Sequence, residues 1–327
     1  MMRKREFLVA LASIFATSAV LPAVAQDYPA RPITIVVPFP AGGPTDAVGR
    51  IVAERMRTSL GQSLIIENVA GAGGSIGMGR VARAAPDGYT IAVGIWSTQV
   101  VNAAIYSLSY DVVKDFEPIA LLASSPLLVA GKRSLPANDL KELIAWLKAN
   151  PDKATQGTAG VGSPEHVAGV LFQQLTDTRY QFVHYRGAAP AFQDLLAGQI
   201  DFSITSSALV LPQLRSGSIK AYAVTTENRL PSAPGIPTAE EAGLKGFQLS
   251  VWVAFFAPKG TPKAIVEKLN GAAVEALAVP EVRTRFADLG LTLFPREQET
   301  PAVLGAVQKS DIEKWWPIIK AAGIRAE

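Results

Sequence analysis

The stretch VPFPAGGPTD, residues 37–46, places a glycine pair and small side chains where an apolar run, ITIVV, gives way to a helical pattern. Residues 41–43 have little bulk, so a ligand can approach their backbone N–H groups directly. The start of a helix adds partial positive charge, which predicts an anion site without a cationic side chain. Thr45 or Asp46 is expected to cap this helix. A capped turn that binds nothing is the alternative.

The glycine-rich stretch ENVAGAGGSIG, residues 67–77, contains the pattern G-x-S-x-G between a predicted strand and a predicted helix. This pattern makes Ser75 a candidate nucleophile, and His166 and His184 lie downstream as candidate bases. The sequence has no HGGG-type oxyanion loop, and such dense glycines are more typical of helix capping or close packing. An exported serine esterase therefore stays the alternative function. No G-x-G-x-x-G fingerprint for a dinucleotide is present in this stretch.

The stretch TAGVGSPEH, residues 158–166, repeats the loop-to-helix design further along the chain. Ser163 is a favourable N-cap, Pro164 suits the first helical position, and His166 falls in the first turn. His166 either donates a hydrogen bond to a ligand or serves as a structural histidine. A metal site is not expected, because only His184 could join it as a second imidazole.

A fourth loop of this kind lies in HYRGAAPAFQDLLAGQID, residues 184–201. Arg186 offers a guanidinium fork for a carboxylate, or it braces an interface with Asp194 or Asp201. The backbone N–H groups of the two residues that follow, Gly187 and Ala188, are stronger candidates for ligand contact.

Short β-branched runs alternate with helical patterns along the chain, which predicts an α/β fold with mostly parallel sheets covered by helices on both faces. Two sets of such units are expected to form two lobes. The first comprises residues 26–124 plus 226–327, and the second comprises residues 125–225. At least two strands must cross between them, so the predicted ligand site lies in the cleft, at the carboxyl ends of strands.

Composition indicates a near-neutral exported protein. The 327-residue chain has 31 basic and 28 acidic residues, no cysteine, and 49% hydrophobic residues. Residues 1–25 read as a signal peptide, with a basic start, an apolar run and an A-x-A site before Gln26. An uncleaved anchor helix is the alternative. Removal of this leader leaves 28 basic and 27 acidic residues. Without a basic stripe, no nucleic-acid partner is expected.

Taken in order, eight segments resemble the receptors of tripartite tricarboxylate transporters, the Bug-type periplasmic solute-binding proteins. They are PITIVVPFPAGGPTD, ENVAGAGGSIG, APDGYT, TQGTAGVGSPEH, HYRGAAPAFQDLLAGQID, GIPTAEEAG, WVAFFAPKGTP and KWWPIIKAAGI. The resemblance covers essentially the whole mature chain. It implies a Venus-flytrap fold, a periplasmic location, and no enzymatic activity, metal or cofactor.

The same resemblance implies a small mono-, di- or tricarboxylate as ligand, gripped by the loops at residues 38–46 and 158–166 through backbone amides and ordered water. A membrane permease, or in some relatives a sensor, would receive the ligand from a monomeric receptor. The sequence departs from the family pattern at two places, and the second falls where the distal end of the ligand would lie. His184 stands where many members have proline, and SITSSAL (residues 203–209) replaces a stretch that often carries Asp or Asn.

The candidate ligand-binding residues lie at predicted strand ends and helix starts of both lobes. They are Phe39, Ala41, Gly42, Gly43, Thr45, Asp46, Ser97, Thr98, Thr158, Gly160, Gly162, Ser163, His166, Arg186, Gly187, Ala188 and Ser206.

Overall fold

A computed structural model describes residues 28–325 of the chain. The predicted signal peptide and its cleavage site lie outside these residues. Among the helices that are described, none has both the length and the apolar content needed to cross a bilayer.

Nine strands lie within the described range. They are β1 (Ile33–Val37), β2 (Leu64–Asn68), β3 (Thr90–Ile95), β4 (Phe116–Lys132), β5 (Thr155–Thr158), β6 (Gln181–His184), β7 (Phe202–Ser206), β8 (Ile219–Val224) and β9 (Ser250–Pro258).

Ten α-helices connect or flank these strands in the described range. They are α1 (Pro44–Leu60), α2 (Ser75–Ala82), α3 (Asn102–Ile105), α4 (Leu140–Ala149), α5 (Pro164–Thr176), α6 (Ala188–Leu196), α7 (Ser207–Arg215), α8 (Lys263–Ala278), α9 (Pro280–Asp288) and α10 (Pro301–Ala321). A π-helical turn, Ser97–Val101, leads into α3.

The strands form two sheets that share one long strand, β4. The first sheet has the order β2-β1-β3-β9-β4, and the second continues from β4 through β7 and β5 to β6, with β8 also paired to β4. β4 pairs with β9 through residues 116–126 and with β7 and β8 through residues 127–132. The chain therefore passes from one sheet to the other without a break between residues 126 and 127.

The predicted two-lobed α/β class is confirmed, but strand pairing is more mixed than mostly parallel. The β1–β2, β1–β3, β5–β6 and β5–β7 pairs are parallel, as βαβ crossovers require. Every pair that includes β4 or β9 is antiparallel. β4 runs from one sheet into the other, and β9 joins β3 to β4 from far along the sequence, so neither strand belongs to a local βαβ unit.

Fully buried aliphatic strands explain why the sheets form. In β1 the residues Ile33, Ile35, Val36 and Val37 are all 0% exposed, so helices cover both faces of this strand, as continuous hydrophobicity predicts. α4 begins at Leu140, because the Asp139 carboxylate accepts a hydrogen bond from Glu142 N at 2.8 Å and caps the helix.

Candidate functional site

Four helices begin at one cavity between the two sheets. α1 contributes Gly43 to Thr45, α5 contributes Pro164 and Glu165, α6 contributes Ala188 and Ala189, and α7 contributes its N-cap, Ser206. The volume of this inner cavity is about 60 Å³. Because α1 lies on one sheet and the other three helices on the second sheet, the cavity draws on both halves of the fold.

The inner cavity favours an anion although none of the described residues that line it has a cationic side chain. Most lining residues are apolar, and the only ionisable one among the described residues is Glu165. Each helix N-terminus carries roughly half a positive charge from its unpaired N–H groups. Four of them directed at one small cavity therefore suit a carboxylate, as predicted for a site without a clamp of lysine or arginine.

Asp46 does not line the inner cavity but fixes the first loop, residues 37–46, through hydrogen bonds. Its carboxylate is 3% exposed and accepts hydrogen bonds from Gly42 N, Arg50 Nε and Asn68 Nδ2, each at 2.9 Å. Burial raises the pKa of Asp46, but the hydrogen bonds from Arg50, Gly42 and Asn68 lower it more, so the net pKa is below its ordinary value. Asn68 also donates to Phe39 O at 3.0 Å, which fixes the entrance of the loop.

The prediction that Thr45 or Asp46 caps α1 is wrong. The N-cap is Gly43, which has no side chain that could accept a hydrogen bond from the first turn. Asp46 lies in the first turn and receives the loop N–H of Gly42 instead. The left-handed residue of the loop is Gly42, with φ of 80°. Gly42 and the preceding Ala41 are exposed and do not line the cavity.

Ser97 and Thr98 lie in the π-helical turn after β3 and are buried. Thr98 Oγ1 accepts from Ile95 N and donates to Ile95 O, both at 3.0 Å, so it closes the turn. Neither residue lines the inner cavity. Their predicted contact with ligand therefore has no support in this arrangement.

The loop at residues 158–166 is held by two histidines. Gly162 N donates to His166 Nδ1 at 3.1 Å, and Thr158 Oγ1 lies 2.7 Å from His184 Nδ1. The two imidazole rings pack edge to face, 4.9 Å apart. Burial, together with the neighbouring His184, lowers the pKa of His166 to about 4, and burial also lowers the pKa of His184. Both histidines are thus neutral supports of the loop at neutral pH.

Ser163 caps α5 as predicted. Its Oγ accepts a hydrogen bond from His166 N at 3.3 Å. Ser163, Thr158 and Gly162 thus contribute to the conformation of the loop, and none of them lines the inner cavity.

A second, outer cavity adjoins the first and shares Phe39, Pro40 and Ala159 with it. Its volume is about 990 Å³, and its lining includes Gly160, His166, Arg186 and Gly187 among the predicted site residues. Arg186 and Arg325 give this outer cavity a positive rim. Arg186 therefore lines the outer cavity and not the inner one.

Contacts between the two halves close the cleft around the inner cavity. Tyr106 OH donates to Val161 O at 2.9 Å, and Ser207 Oγ donates to Gly290 O at 3.1 Å. Gly187, with φ of 127°, lies so near Pro40 that a Cβ there would stand 2.9 Å from the proline ring. The described arrangement is therefore a closed one.

Ser75 has no catalytic environment in the described part of the chain. Its Oγ accepts a hydrogen bond from Asn102 Nδ2 at 3.0 Å, and no histidine bonds to it. His166 and His184 are instead engaged with the loop at residues 158–166. Nothing in this geometry supports the esterase alternative.

Among the predicted site residues, Phe39, Gly43, Thr45, Ala188 and Ser206 meet at the inner cavity. Sequence reasoning missed the other polar and apolar lining residues, and these are Pro40, Pro44, Val48, Ile95, Ser125, Leu127, Ala159, Pro164, Glu165, Ala189, Val251, Val253 and Leu291. Glu165 could have been predicted as a lining residue, because it lies in the first turn of a helix that begins at a predicted site. Ser125 and the residues of β9 carry no local motif that marks them.

Comparisons with known proteins agree with this fold. The family model described as the tripartite tricarboxylate transporter family receptor matches residues 48–324. A UPF0065 protein of Agrobacterium vitis is 39% identical over 314 residues, which cover 95% of this chain and 91% of that protein.

Two solved structures are similar over nearly their whole length. The periplasmic binding protein BugD has a TM-score of 0.88 and 38% identity, covering 92% of this chain and all of that one. MatC of Rhodopseudomonas palustris, solved with bound malate, has a TM-score of 0.86 and 40% identity, covering 89% of this chain and all of that one. The predicted resemblance is confirmed, and the chain belongs to the tripartite tricarboxylate transporter receptor family of periplasmic solute-binding proteins.

Proposed function

We propose that this protein captures a small organic carboxylate in the inner cavity and delivers it to a membrane permease of the tripartite tricarboxylate type. In this proposal it acts in the periplasm as a monomer, after removal of residues 1–25. One lobe is formed by residues 26–124 plus 226–327 and the other by residues 125–225. The chain is a carrier with no reaction of its own.

The convergence of four helix N-termini on one cavity carries this proposal. A carboxylate there can accept hydrogen bonds from backbone N–H groups at the starts of α1 and α6, near Thr45 and Ala189. Because these groups belong to opposite lobes, the ligand holds the lobes together and shifts the protein toward the closed form.

Backbone capture is strong enough for a useful affinity. A hydrogen bond to a charged group contributes about 1.5–3 kcal/mol, so four of them give roughly 6–12 kcal/mol before ordering costs. A micromolar dissociation constant corresponds to about 8 kcal/mol. An arginine inside the cavity is not required to reach this range.

The malate bound to MatC supports the choice of a small carboxylate as ligand class for this chain. The inner cavity volume of about 60 Å³ suits an acid of a few carbon atoms, since one water needs roughly 10–15 Å³ on the same measure. Its apolar walls favour a ligand whose charge is confined to the ends that meet the helix starts.

Calorimetric titration with succinate, malate, citrate and benzoate tests the capture step. At least one acid is expected to bind with a micromolar or lower dissociation constant. Binding should also reduce the radius of gyration in small-angle X-ray scattering. A folded protein that binds none of a broad acid panel would overturn the proposal.

Delivery needs a separate assay. Proteoliposomes that contain the cognate tripartite permease should accumulate radiolabelled ligand only when the receptor is present outside. Equal uptake without receptor would argue that the protein serves a sensor instead of a transporter.

A further inference from the structure

Glu165 is a buried acid that lines the inner cavity, and one of its carboxyl oxygens has no hydrogen-bond partner among the described residues. It is the second residue of α5, is 5% exposed, and lines the cavity. Its Oε1 lies 3.4 Å from Thr205 Oγ1, a long hydrogen bond, while Oε2 has no partner among the described residues. An unpaired polar atom in a buried position is costly unless a ligand or water completes it.

The surroundings of Glu165 disfavour its charge. The cavity wall is mainly apolar, with Val48, Leu127 and Val253 among its members, and it has no cationic side chain within residues 28–325. Burial raises the pKa of Glu165, and hydrogen bonds, including those from the Ser163 and Thr205 side chains, offset this only in part.

Other titratable groups near Glu165 do not supply a counter-charge. His166 on the same helix and His184 on β6 have lowered pKa values and are neutral at neutral pH. Asp46, on α1 of the opposite lobe, is an anion already paired with Arg50. A ligand carboxylate at the helix starts would add further negative charge, so the neutral acid is the form compatible with a bound anion.

We propose that Glu165 is a specificity-determining residue whose neutral carboxyl group donates a hydrogen bond from Oε2 to an oxygen of the bound organic acid. This inference rests on the proposed carboxylate-binding function. It narrows the ligand class to acids that carry a second oxygen acceptor, such as a hydroxyl, a carbonyl or another carboxylate, on a short apolar body. Acids whose second group is an ammonium need an ionised Glu165 and are disfavoured.

Two substitutions by side chains of similar size distinguish a role of Glu165 as a hydrogen-bond donor from a role as a negative charge. Glu165→Gln keeps a donor in place of the neutral acid, whereas Glu165→Leu removes both polar atoms. Glu313→Gln, an exposed change on α10, is the matched control. Calorimetric titrations with malate, succinate and aspartate at pH 6–9 would measure affinity, and thermal unfolding would verify that each variant is folded.

We expect Glu165→Gln to bind malate within about threefold of the wild type and Glu165→Leu to bind it at least about tenfold more weakly, as the loss of one such hydrogen bond implies. Wild-type affinity should fall as pH rises, because ionised Glu165 cannot donate and repels the anion. The Gln variant should show no such trend.

Three results would overturn the inference. Equal affinity in wild type and both variants would mean that Glu165 does not touch the ligand. Loss of binding in the Gln variant, with aspartate as the preferred ligand, would mean that an ionised Glu165 pairs with an ammonium group. If the affinity of Glu165→Gln falls as pH rises, as in the wild type, the group that titrates is not Glu165. Failure of wild type to bind any acid is a different outcome, which refutes the proposed function itself.

Discussion

Removal of the Asp46 carboxylate tests whether the hydrogen bonds to this side chain hold the first loop in its binding conformation. In Asp46→Ala, the donors on Gly42, Arg50 and Asn68 lose their common acceptor. Asn68 keeps its hydrogen bond to Phe39 O, and Arg50 keeps one to Asn68 Oδ1 at 3.1 Å. The loop is thus weakened at residue 42 rather than released along its whole length.

The expected cost follows from the exposure of each donor. A hydrogen bond to a charged group contributes about 1.5–3 kcal/mol when desolvated. The Arg50 side chain is 50% exposed, so screening reduces its ion pair with Asp46 to about 0–1 kcal/mol. With the contributions of Gly42 and Asn68, we expect Asp46→Ala to lower the free energy of unfolding by about 2–4 kcal/mol.

Asp46→Asn should be milder because one oxygen remains. An amide oxygen in place of Oδ2 still accepts from Gly42 N and Arg50 Nε. Its NH₂ group, however, faces the Nδ2 donor of Asn68, and two donors cannot bond. A loss of about 1–2 kcal/mol is expected.

Denaturant unfolding followed by circular dichroism would measure these losses, and calorimetry would measure ligand affinity. Asp288→Ala, an exposed change at the end of α9, is the control. Since the pKa of Asp46 is lowered in the folded state, its contribution is present above the unfolded pKa of about 3.9 and is lost as pH falls through the folded value. The gap between wild type and Asp46→Asn should therefore narrow in acid. An Asp46→Ala variant as stable and as tightly binding as Asp288→Ala would refute this reasoning.

Three further substitutions probe closure and chemistry. Gly187→Val should weaken ligand binding at least about tenfold, because its side chain meets Pro40 and resists positive φ; unchanged calorimetric affinity would contradict closure at this contact. Tyr106→Phe removes the bond to Val161 O and should weaken binding about fivefold by the same measurement, as a net loss of about 1 kcal/mol predicts. Ser75→Ala should leave affinity and any trace ester turnover unchanged, and loss of turnover in a spectrophotometric ester assay would revive the hydrolase alternative.

Local patterns were sufficient to predict the elements that form the cavity. The strand at ITIVV, the helix after the first loop, and the cap at Ser163 all rest on short-range rules of hydrophobic periodicity and helix capping, which act within a few residues. The loops at residues 37–46 and 184–188 were predicted to face a ligand because strand ends of parallel units meet at one edge of a sheet.

Residues that depend on long-range pairing were not predictable in this way. Ser125 meets Ser206 at 2.8 Å only because β4 crosses between the sheets and pairs with β7. Val253 reaches the cavity through β9, which is distant in the sequence. Conversely, Ser97 and Thr98 follow a strand as a site residue would, but an unforeseen π-helical turn directs them into the interior.

On the proposed assignment, ligand binding is coupled to protonation of Glu165, in the first turn of α5. Helix N-termini stabilise negative charge, so the free cavity favours ionised Glu165 more than its apolar walls alone would allow. A ligand carboxylate at the same helix N-termini offsets their partial positive charge and also repels an ionised Glu165. Both effects raise the pKa of Glu165 further. On the proposed assignment, ligand binding therefore draws a proton onto Glu165, and by reciprocity a lower pH tightens binding by the same coupling free energy. Calorimetry of the wild type in buffers with different ionisation enthalpies should show net proton uptake, and this uptake should be absent in Glu165→Gln.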